Sequence, residues 1–274
     1  IRGLNFGIDF TGGVLVEVAY PQSVELDTVR GNLGEAGYER AVVQYFGSST
    51  SVLIRLPPVE GESSAQVSTH ILQALRADES GITLRRIEFV GPQVGEELFS
   101  NGGLALLFAF MGIAAYIMFR FEWKFSVGAI AALIHDAVMV LGVLAITQVE
   151  FDITTLAAIL ALIGYSNNET IVIFDRVREN LVTERRMEIL EVVNLSVNQT
   201  LLRSVITHLT TLLVLTALFF VGGASVHSFS VALIVGVIVA TYSSIYVSTN
   251  LAVLLGISRE DLVPSQDKEV DELP

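Results

Sequence analysis

The 274-residue sequence contains no cysteine, so disulfide bonds, thiolate nucleophiles and cysteine metal sites are all excluded. Charge is also scarce, since Asp, Glu, Lys and Arg make up 16% of the chain, and an excess of acids gives a net charge of −13. An acidic chain is repelled by nucleic-acid phosphates, and we predict no nucleic-acid partner. Phosphate-binding glycine loops, catalytic triads and metal-ligand clusters are missing from the sequence as well. We therefore predict no enzymatic activity, no metal and no cofactor.

Long hydrophobic runs are what the sequence has in abundance, with 52% hydrophobic residues. A helix needs about 20 apolar residues to cross the hydrocarbon core of a bilayer. Five segments reach about that length, and they predict a membrane α-helical bundle over residues 101–257. The predicted spans are residues 102–119, 125–146, 154–174, 197–220 and 228–255.

The distribution of basic residues predicts the orientation of these spans. Arg120 and Lys124 lie in one connection and four arginines lie within residues 175–186, whereas the connections on the opposite side contain no Lys or Arg. Short cytoplasmic loops are enriched in Lys and Arg, so the basic connections and the acidic tail 258–274 are predicted to be cytoplasmic. The first hundred residues then lie outside the cytoplasm. That arrangement requires a sixth span upstream of this sequence.

Residues 1–100 show alternating strand and helix patterns and form a separate module. Apolar positions at helical spacing follow Ser23, a possible helix cap, and end at Gly37, a stop signal. The predicted order β-α-β-β-α-β is that of a ferredoxin-like α+β domain. The predicted elements are strand 14–20, helix 23–37, strand 41–47, a hairpin turn at 48–50, strand 51–58, helix 64–78 and strand 82–92.

The stretch "GIDFTGG" precedes this module and contains Gly7, Asp9, Gly12 and Gly13. Glycine permits positive φ angles and close backbone approach. These residues favour a tight turn over a ligand-binding loop.

Ionisable residues inside the predicted spans are unusual, because each is costly in lipid unless it is paired or hydrated. At 1.5 Å per residue, Glu169 lies about 8 Å and Arg203 about 9 Å from the cytoplasmic ends of consecutive antiparallel spans. The equal depth predicts an ion pair. Asp136 and His208 each lie about 16 Å from the same side, and they predict a second tier near the membrane midplane.

A carboxylate that gains and loses an arginine partner changes its proton affinity, so a helix shift can become a proton uptake step. Glu169 therefore indicates a proton relay, in which neighbouring polar side chains hold water beside the carboxylate. A static ion pair that fixes the helix register is the alternative. A carbonyl-bonded histidine is the alternative for His208. The supporting polar residues are Tyr165, Ser166, Asn167 and Asn168.

Six motifs, in this order and spacing, resemble the SecF family of the SecD/SecF protein-export membrane proteins. They are "LNFGIDFTGG", "FRFEWKFSVGAIAALIHD", "FDITTLAAILALIGYS", "TIVIFDRVREN", "NQTLLRSVIT" and "ATYSSIYVS", and they cover residues 3–256. The family belongs to the resistance-nodulation-division superfamily. The resemblance implies six spans in the bacterial inner membrane, a periplasmic domain after the first span, and a first span missing here. It also implies action with SecD, SecYEG, YajC and a translocating preprotein, driven by the proton-motive force.

The resemblance assigns roles to particular residues. Glu169 stands at the acid of the "GYSxND" motif, and Arg203 at the arginine of "QTLxR" as its partner. Asp136 falls in the "HD" pair. The "GIDFTGG" residues Gly7, Asp9, Gly12 and Gly13 are expected to fix the base of the periplasmic domain, and Asp175 and Arg176 to anchor a cytoplasmic loop.

The sequence departs from the family pattern at two positions. Asn167 stands where an apolar residue is expected, and Glu169 stands in place of aspartate. The acid remains with one more methylene, and the Asn167 amide is expected to hold the longer side chain or a water. Two other functions are compatible with the residues: a structural subunit that steadies SecD and SecYEG without moving protons, and a proton-driven exporter of lipids or small molecules.

Overall fold

The computed structural model describes residues 3–58, 64–76 and 81–260. Most of the predicted acidic tail and the last two residues of the predicted helix 64–78 lie outside these ranges. Contacts divide the chain into two compact units. The first unit comprises Ile1–Leu106, Leu144–Ala157 and Leu218–Phe229, and the second comprises Leu107–Val143, Ala158–Ala217 and Ser230–Pro274.

The first unit contains a four-stranded antiparallel sheet with the spatial order β3-β4-β2-β5. Two helices connect the strands in the sequence β-α-β-β-α-β, so the predicted ferredoxin-like fold is confirmed. A two-residue strand and a one-turn helix precede the sheet. These elements are β1 Asn5–Phe6, α1 Ile8–Thr11, β2 Gly13–Ala19, α2 Leu26–Glu35, β3 Val42–Phe46, β4 Ser48–Leu56, α3 Ser64–Arg76 and β5 Thr83–Val90.

The core of this domain lies between the sheet and its two helices. Val16 and Val18 of β2 are fully buried, together with Leu33 of α2 and Ile71 of α3. The opposite face of the sheet is also covered, because Leu15 packs with Ile8 and Leu53. Strand β2 is therefore buried on both faces. Its alternating sequence pattern had indicated burial on one face only.

Two local predictions about this domain are wrong. Helix α2 begins at Leu26 after Glu25, so Ser23 is not its cap. Residues 48–50 belong to β4, and the turn lies at Gly47, whose φ of +75° is open to glycine at little cost. The predicted stop at Gly37 is confirmed, because its φ is +89° and the Tyr38 N–H reaches the Leu33 carbonyl at 2.8 Å.

The "GIDFTGG" stretch forms a tight turn, as its glycines predicted. Helix α1 ends at Gly12, with φ of +69°, and Gly13 follows with φ of +128°. A side chain at Gly13 would place its Cβ atom 2.1 Å from the Leu56 carbonyl oxygen. Only glycine fits between the turn and β4 at this position.

The same turn is bonded to the segment that precedes helix α6, Ile153–Thr183. Strand β1 pairs in parallel with β6, Glu150–Phe151, and the Asp9 Oδ2 atom accepts a 3.0 Å hydrogen bond from the Ile153 N–H. Asp9 thus satisfies one of the free N–H groups at the start of α6.

A buried ion pair reinforces this base. The Arg55 Nη2 and Glu150 Oε2 atoms are 2.8 Å apart, and the two side chains are only 9% and 17% exposed. Arg55 also donates to the Asn5 Oδ1 atom at 3.1 Å and to the Phe6 carbonyl at 3.0 Å. Burial raises the pKa of the Glu150 carboxyl above its ordinary value of 4.5, and the Arg55 charge opposes that rise.

Five helices among the described residues are long and apolar enough to cross a membrane, so the number of predicted spans is confirmed. Several are longer than predicted because polar residues extend them. Helix α6 continues to Thr183, so Asp175 and Arg176 lie within it and not in a loop. The elements are α4 Pro92–Arg120, α5 Trp123–Thr147, α6 Ile153–Thr183, α7 Ile189–Val221 and a last span built from α8 His227–Tyr242, a π-helical turn Ser243–Ser248 and α9 Thr249–Leu254.

The π-helical turn is stabilised by hydroxyl groups and by close packing. The Ser248 Oγ atom donates to the Ser244 carbonyl at 2.6 Å. Helix α5 approaches the Ser248 carbonyl through Gly128, where a Cβ atom would lie only 2.5 Å from that oxygen.

Replacing Gly13 with alanine tests the turn. We expect Gly13→Ala to lower the free energy of unfolding by about 2 kcal/mol or more, because the new methyl group meets both a disfavoured φ and the Leu56 carbonyl. Thermal and denaturant unfolding of the purified protein would measure this. Gly31→Ala is the control, because nothing lies within 4 Å of a Cβ atom in that helix position. It should stabilise the protein by about 0.5–1 kcal/mol, and equal effects of the two variants would contradict the assignment.

The pH dependence of stability tests the buried Glu150. A carboxyl whose pKa is raised on folding stabilises the folded state most below its unfolded pKa, and that contribution is lost as the pH rises through the folded pKa. The stability difference between Glu150→Gln and the natural protein should therefore shift in favour of the variant as the pH rises from 4.5. Unfolding temperatures across a pH series would measure it. A difference that stays constant across the pH series would contradict the raised pKa of the Glu150 carboxyl.

Candidate functional site

The Glu169 side chain lies buried between helices α6 and α7, with 8% of its surface exposed. The Ser204 hydroxyl donates a short hydrogen bond to its Oε1 atom, and the His208 Nε2 atom lies 3.7 Å from its Oε2 atom. Ser204 and His208 are four residues apart, so they occupy the same face of α7. Thr200 continues the same buried row one turn earlier. The acid is thus met by a hydroxyl and an imidazole.

The predicted ion pair between Glu169 and Arg203 is wrong. The Arg203 side chain is exposed, and it makes no ion pair with Glu169. Equal depth along two helices does not place two side chains on facing surfaces. Successive helical residues differ in direction by about 100°, so the buried neighbour Ser204 takes the place that was expected for Arg203.

His208 belongs to the Glu169 cluster and not to a second tier with Asp136. Its Nδ1 atom lies 2.9 Å from the Thr241 Oγ1 atom on helix α8, which rules out the alternative of a backbone carbonyl as its partner. The Tyr165 ring lies beside the imidazole, with 5.5 Å between ring centroids, and the Tyr165 hydroxyl donates to Thr211 at 3.4 Å. Three helices therefore meet at His208.

Asp136 forms a separate contact between helices α5 and α6. Its side chain is 2% exposed, and its Oδ2 atom accepts a 2.5 Å hydrogen bond from the Ser166 hydroxyl. The neighbouring His135 Nδ1 atom lies 3.2 Å from Oδ1. Ser166 supports Asp136 where it was expected to support Glu169.

The two asparagines of α6 do not hold the Glu169 side chain. Asn168 is exposed. Asn167 is buried, but within the described part of the chain its Oδ1 atom has no hydrogen-bond partner, and the same is true of the Thr170 hydroxyl one turn later. Among the described residues Asn167 makes no hydrogen bond to Glu169, so the expectation that its amide holds the carboxylate is wrong. The alternative, that the amide holds a water, stays a prediction.

Charged residues near the ends of α4 and α6 pair with one another. Asp175 accepts a 3.0 Å hydrogen bond from Arg120, and Arg178 lies 3.2 Å from Glu122. Arg176 pairs with Glu179 one turn along its own helix, at 2.9 Å. These contacts connect neighbouring helix ends and lie apart from the buried carboxylates.

The sequence did not indicate Ser204 or Thr241 as site residues. Both are small hydroxyl residues in spans that contain many of them, and such residues commonly serve helix packing. The spacing of Thr200, Ser204 and His208 was the available signal, since it places three polar side chains on one face. Among the described residues, no group of three or more His, Asp or Glu side chains could hold a metal ion.

Fold and site together define a multi-pass membrane protein that has a ferredoxin-like domain and keeps ionisable groups between its spans. A carboxylate that has one hydroxyl donor and a nearby imidazole can take up and release a proton. Such residues within membrane spans mark ion pathways more often than they serve packing.

Comparison with known proteins identifies the family. Residues 70–258 match the family model "Protein export membrane protein SecD/SecF, C-terminal", and residues 1–24 match "SecD/SecF GG Motif". The chain is 51% identical over 274 residues to the protein translocase subunit SecF of Pseudomonas aeruginosa, covering 100% of this chain and 89% of that protein. It is 45% identical to the Haemophilus influenzae SecF, covering 100% of this chain and 84% of that protein. The chain belongs to the SecD/SecF family of protein-export membrane proteins.

A solved structure shares this fold. The crystal structure of SecDF from Thermus thermophilus, described as a translocon-associated membrane protein, matches with a TM-score of 0.83 and 42% identity. The match covers 92% of this chain and 34% of the SecDF chain, so this chain spans about a third of that protein. SecDF in its super-membrane-facing form matches with a TM-score of 0.67 at 41% identity, covering 93% of this chain and 35% of that one.

Neighbouring substitutions on helix α7 test the geometry of the site. Ser204→Ala should lower the free energy of unfolding by about 1–3 kcal/mol, because it removes the hydroxyl donor from a buried carboxylate. Arg203→Gln is the matched control one residue away, and its exposed side chain predicts a change within about 0.5 kcal/mol. Thermal unfolding of the purified chain measures both. A larger loss of stability from Arg203→Gln than from Ser204→Ala would support the predicted Glu169–Arg203 ion pair instead.

Proposed function

We propose that this chain works with a SecD-type subunit in the bacterial inner membrane and uses the proton-motive force to promote preprotein translocation. The observation that carries the proposal is the Glu169 carboxylate, 8% exposed inside a membrane span and 3.7 Å from an imidazole. Keeping an acid at this depth is costly. A proton-coupled role explains why the cost is tolerated.

Protons are the coupling ion in this proposal, and no cofactor takes part. The Ser204 hydroxyl stabilises the ionised form of Glu169 by donating to Oε1. His208 offers a second place for a proton beside Oε2. Uptake and release of a proton change the attraction between α6 and α7, and the movement of these helices is the step that translocation would use.

In this proposal Arg203 contacts a partner protein. An arginine in the middle of a membrane span must face protein or water and not lipid. It lies on an exposed face of α7 beside Leu202, which is 71% exposed, and Ile206, which is 53% exposed. We assign this face to SecD, which would supply the group that Arg203 pairs with and the other half of the relay.

The relatives support the assembly that we propose around this pair. The Pseudomonas aeruginosa and Haemophilus influenzae proteins are named protein translocase subunits, and this supports action as a transport subunit and not as an enzyme. The SecDF structure is described as translocon-associated, which supports binding to the SecYEG channel beside SecD, with YajC and the translocating preprotein as further partners. The basic connections support a periplasmic location for residues 1–100 and a cytoplasmic location for the C-terminus.

Glu169→Gln in membrane vesicles tests the proposal. We expect the variant to lose the stimulation of export of a slow secretory precursor by the proton-motive force, because the amide cannot carry the proton. Glutamine keeps the size of the side chain and can still accept from Ser204. The measurement is the export rate with and without a proton gradient.

Glu179→Gln is the matched control, because Glu179 is a 63%-exposed acid on the same helix. Its stimulation should equal that of the natural protein. Assembly with SecD and the unfolding temperature are measured for both variants, so that misfolding is recognised. Full stimulation in a folded, assembled Glu169→Gln complex would contradict proton coupling here and favour a structural subunit.

A further inference from the structure

The hydrogen bonds of Thr241 determine which nitrogen of His208 carries a proton. The Thr241 Oγ1 atom lies 2.7 Å from the Val237 carbonyl oxygen and 2.9 Å from the His208 Nδ1 atom. A carbonyl oxygen can only accept, so the single hydroxyl proton must point to Val237. Thr241 can then only accept from the imidazole. The proton of neutral His208 therefore sits on Nδ1.

This assignment leaves the other imidazole nitrogen as an acceptor. The Nε2 atom is buried, and no hydrogen-bond donor for it exists among the described residues. It faces the Glu169 Oε2 atom at 3.7 Å. Two acceptors without a proton between them repel each other, and the buried Nε2 atom lacks the hydrogen bond that buried polar atoms normally make.

The Ser204 hydroxyl does not fill this gap. It has one proton, and its contact with the Glu169 Oε1 atom is much shorter than its 3.2 Å contact with the Thr200 carbonyl. That proton is therefore committed to Oε1. One added proton between Oε2 and Nε2 would turn this contact into a hydrogen bond.

We infer that Glu169 and His208 form one shared proton site, with Thr241 as the positioning residue that turns the Nε2 lone pair toward the carboxylate. This inference rests on the proposed function and deepens it. One proton enters, the charge of the pair changes from −1 to 0, and the proton lies on either Oε2 or Nε2 in a hydrogen bond between them. The same proton leaves when the bond opens.

The surroundings of the pair contain few other groups that titrate. Tyr165 faces it from α6, and Thr207 and Thr211 lie near that tyrosine on α7. Arg203 is exposed and lies on another face of α7. Thr241 is the contact from α8. Proton binding at the pair thus acts on three helices through four side chains, Glu169, Ser204, His208 and Thr241.

The experiment compares Thr241→Val with Thr241→Ser in the complete protein assembled with SecD. Valine keeps the shape of threonine without the hydroxyl, and serine keeps the hydroxyl. Nitrogen-15 NMR of labelled histidine reports the tautomer, and His208→Gln assigns the His208 signals. We expect the Nδ1–H tautomer in the natural protein and in Thr241→Ser, and its loss or mixing in Thr241→Val.

Proton-stimulated export is measured as a function of pH on the same complexes. Thr241→Val should move the midpoint to lower pH, because the imidazolium must leave its Nδ1–H without an acceptor, whereas the neutral ring can move its proton to Nε2. Thr241→Ser should restore the natural midpoint. A merely structural role for Thr241 would change the amplitude or the unfolding temperature without moving the midpoint.

The outcomes separate this inference from the function on which it rests. An Nε2–H tautomer in the natural protein, or a Thr241→Val complex with natural tautomer and midpoint, overturns the shared site. If Glu169→Gln still abolishes stimulation in that case, the proposed function stands. If Glu169→Gln leaves stimulation intact, both fall, whatever the tautomer.

Discussion

A polar side chain buried between the spans is costly unless it finds a partner within the protein, because the hydrocarbon around the helices offers none. That constraint explains the arrangement of the membrane helices. Glu169 meets Ser204, Asp136 meets Ser166, and His208 meets Thr241. Each of these contacts joins two helices, so the groups that would be costly alone determine which faces of α5, α6, α7 and α8 lie together.

Buried polar groups are also paired in the ferredoxin-like domain, where the main contact is an ion pair. Arg55 reaches from the end of β4 to Glu150, Asn5 and Phe6, and Asp9 bonds to the start of α6. Glycine at position 13 allows the turn to lie against β4 without a side chain. The base of this domain is thus built from a turn, one short parallel pairing and one buried ion pair.

The sequence predicted the architecture well because hydrophobic length and strand-helix order depend on patterns along the chain. It also predicted that positions 169 and 203 lie level along α6 and α7, and the contact between Glu169 and Ser204 confirms this. Direction around the helix axis was not predictable from depth, and Ser204, the buried neighbour of Arg203, meets the acid instead. Asn167 and Asn168 misled for a related reason, since neighbours in sequence point to different sides of a helix. The hairpin at 48–50 failed because Gly47 alone provides the turn.

The π-helical turn of Ser243–Ser248 has a consequence for how the last span is interpreted. A π turn holds about one residue more than an α turn. A helical wheel drawn through His227–Leu254 with 3.6 residues per turn therefore becomes wrong at this turn. Thr249 lies on a different side of the helix axis from the one that its separation of eight residues from Thr241 implies. Deletion of one residue here would exchange the π turn for a regular helix and leave the residues that follow on the same sides of the span. The π turn thus contains one extra residue inside a span whose total length does not reveal it.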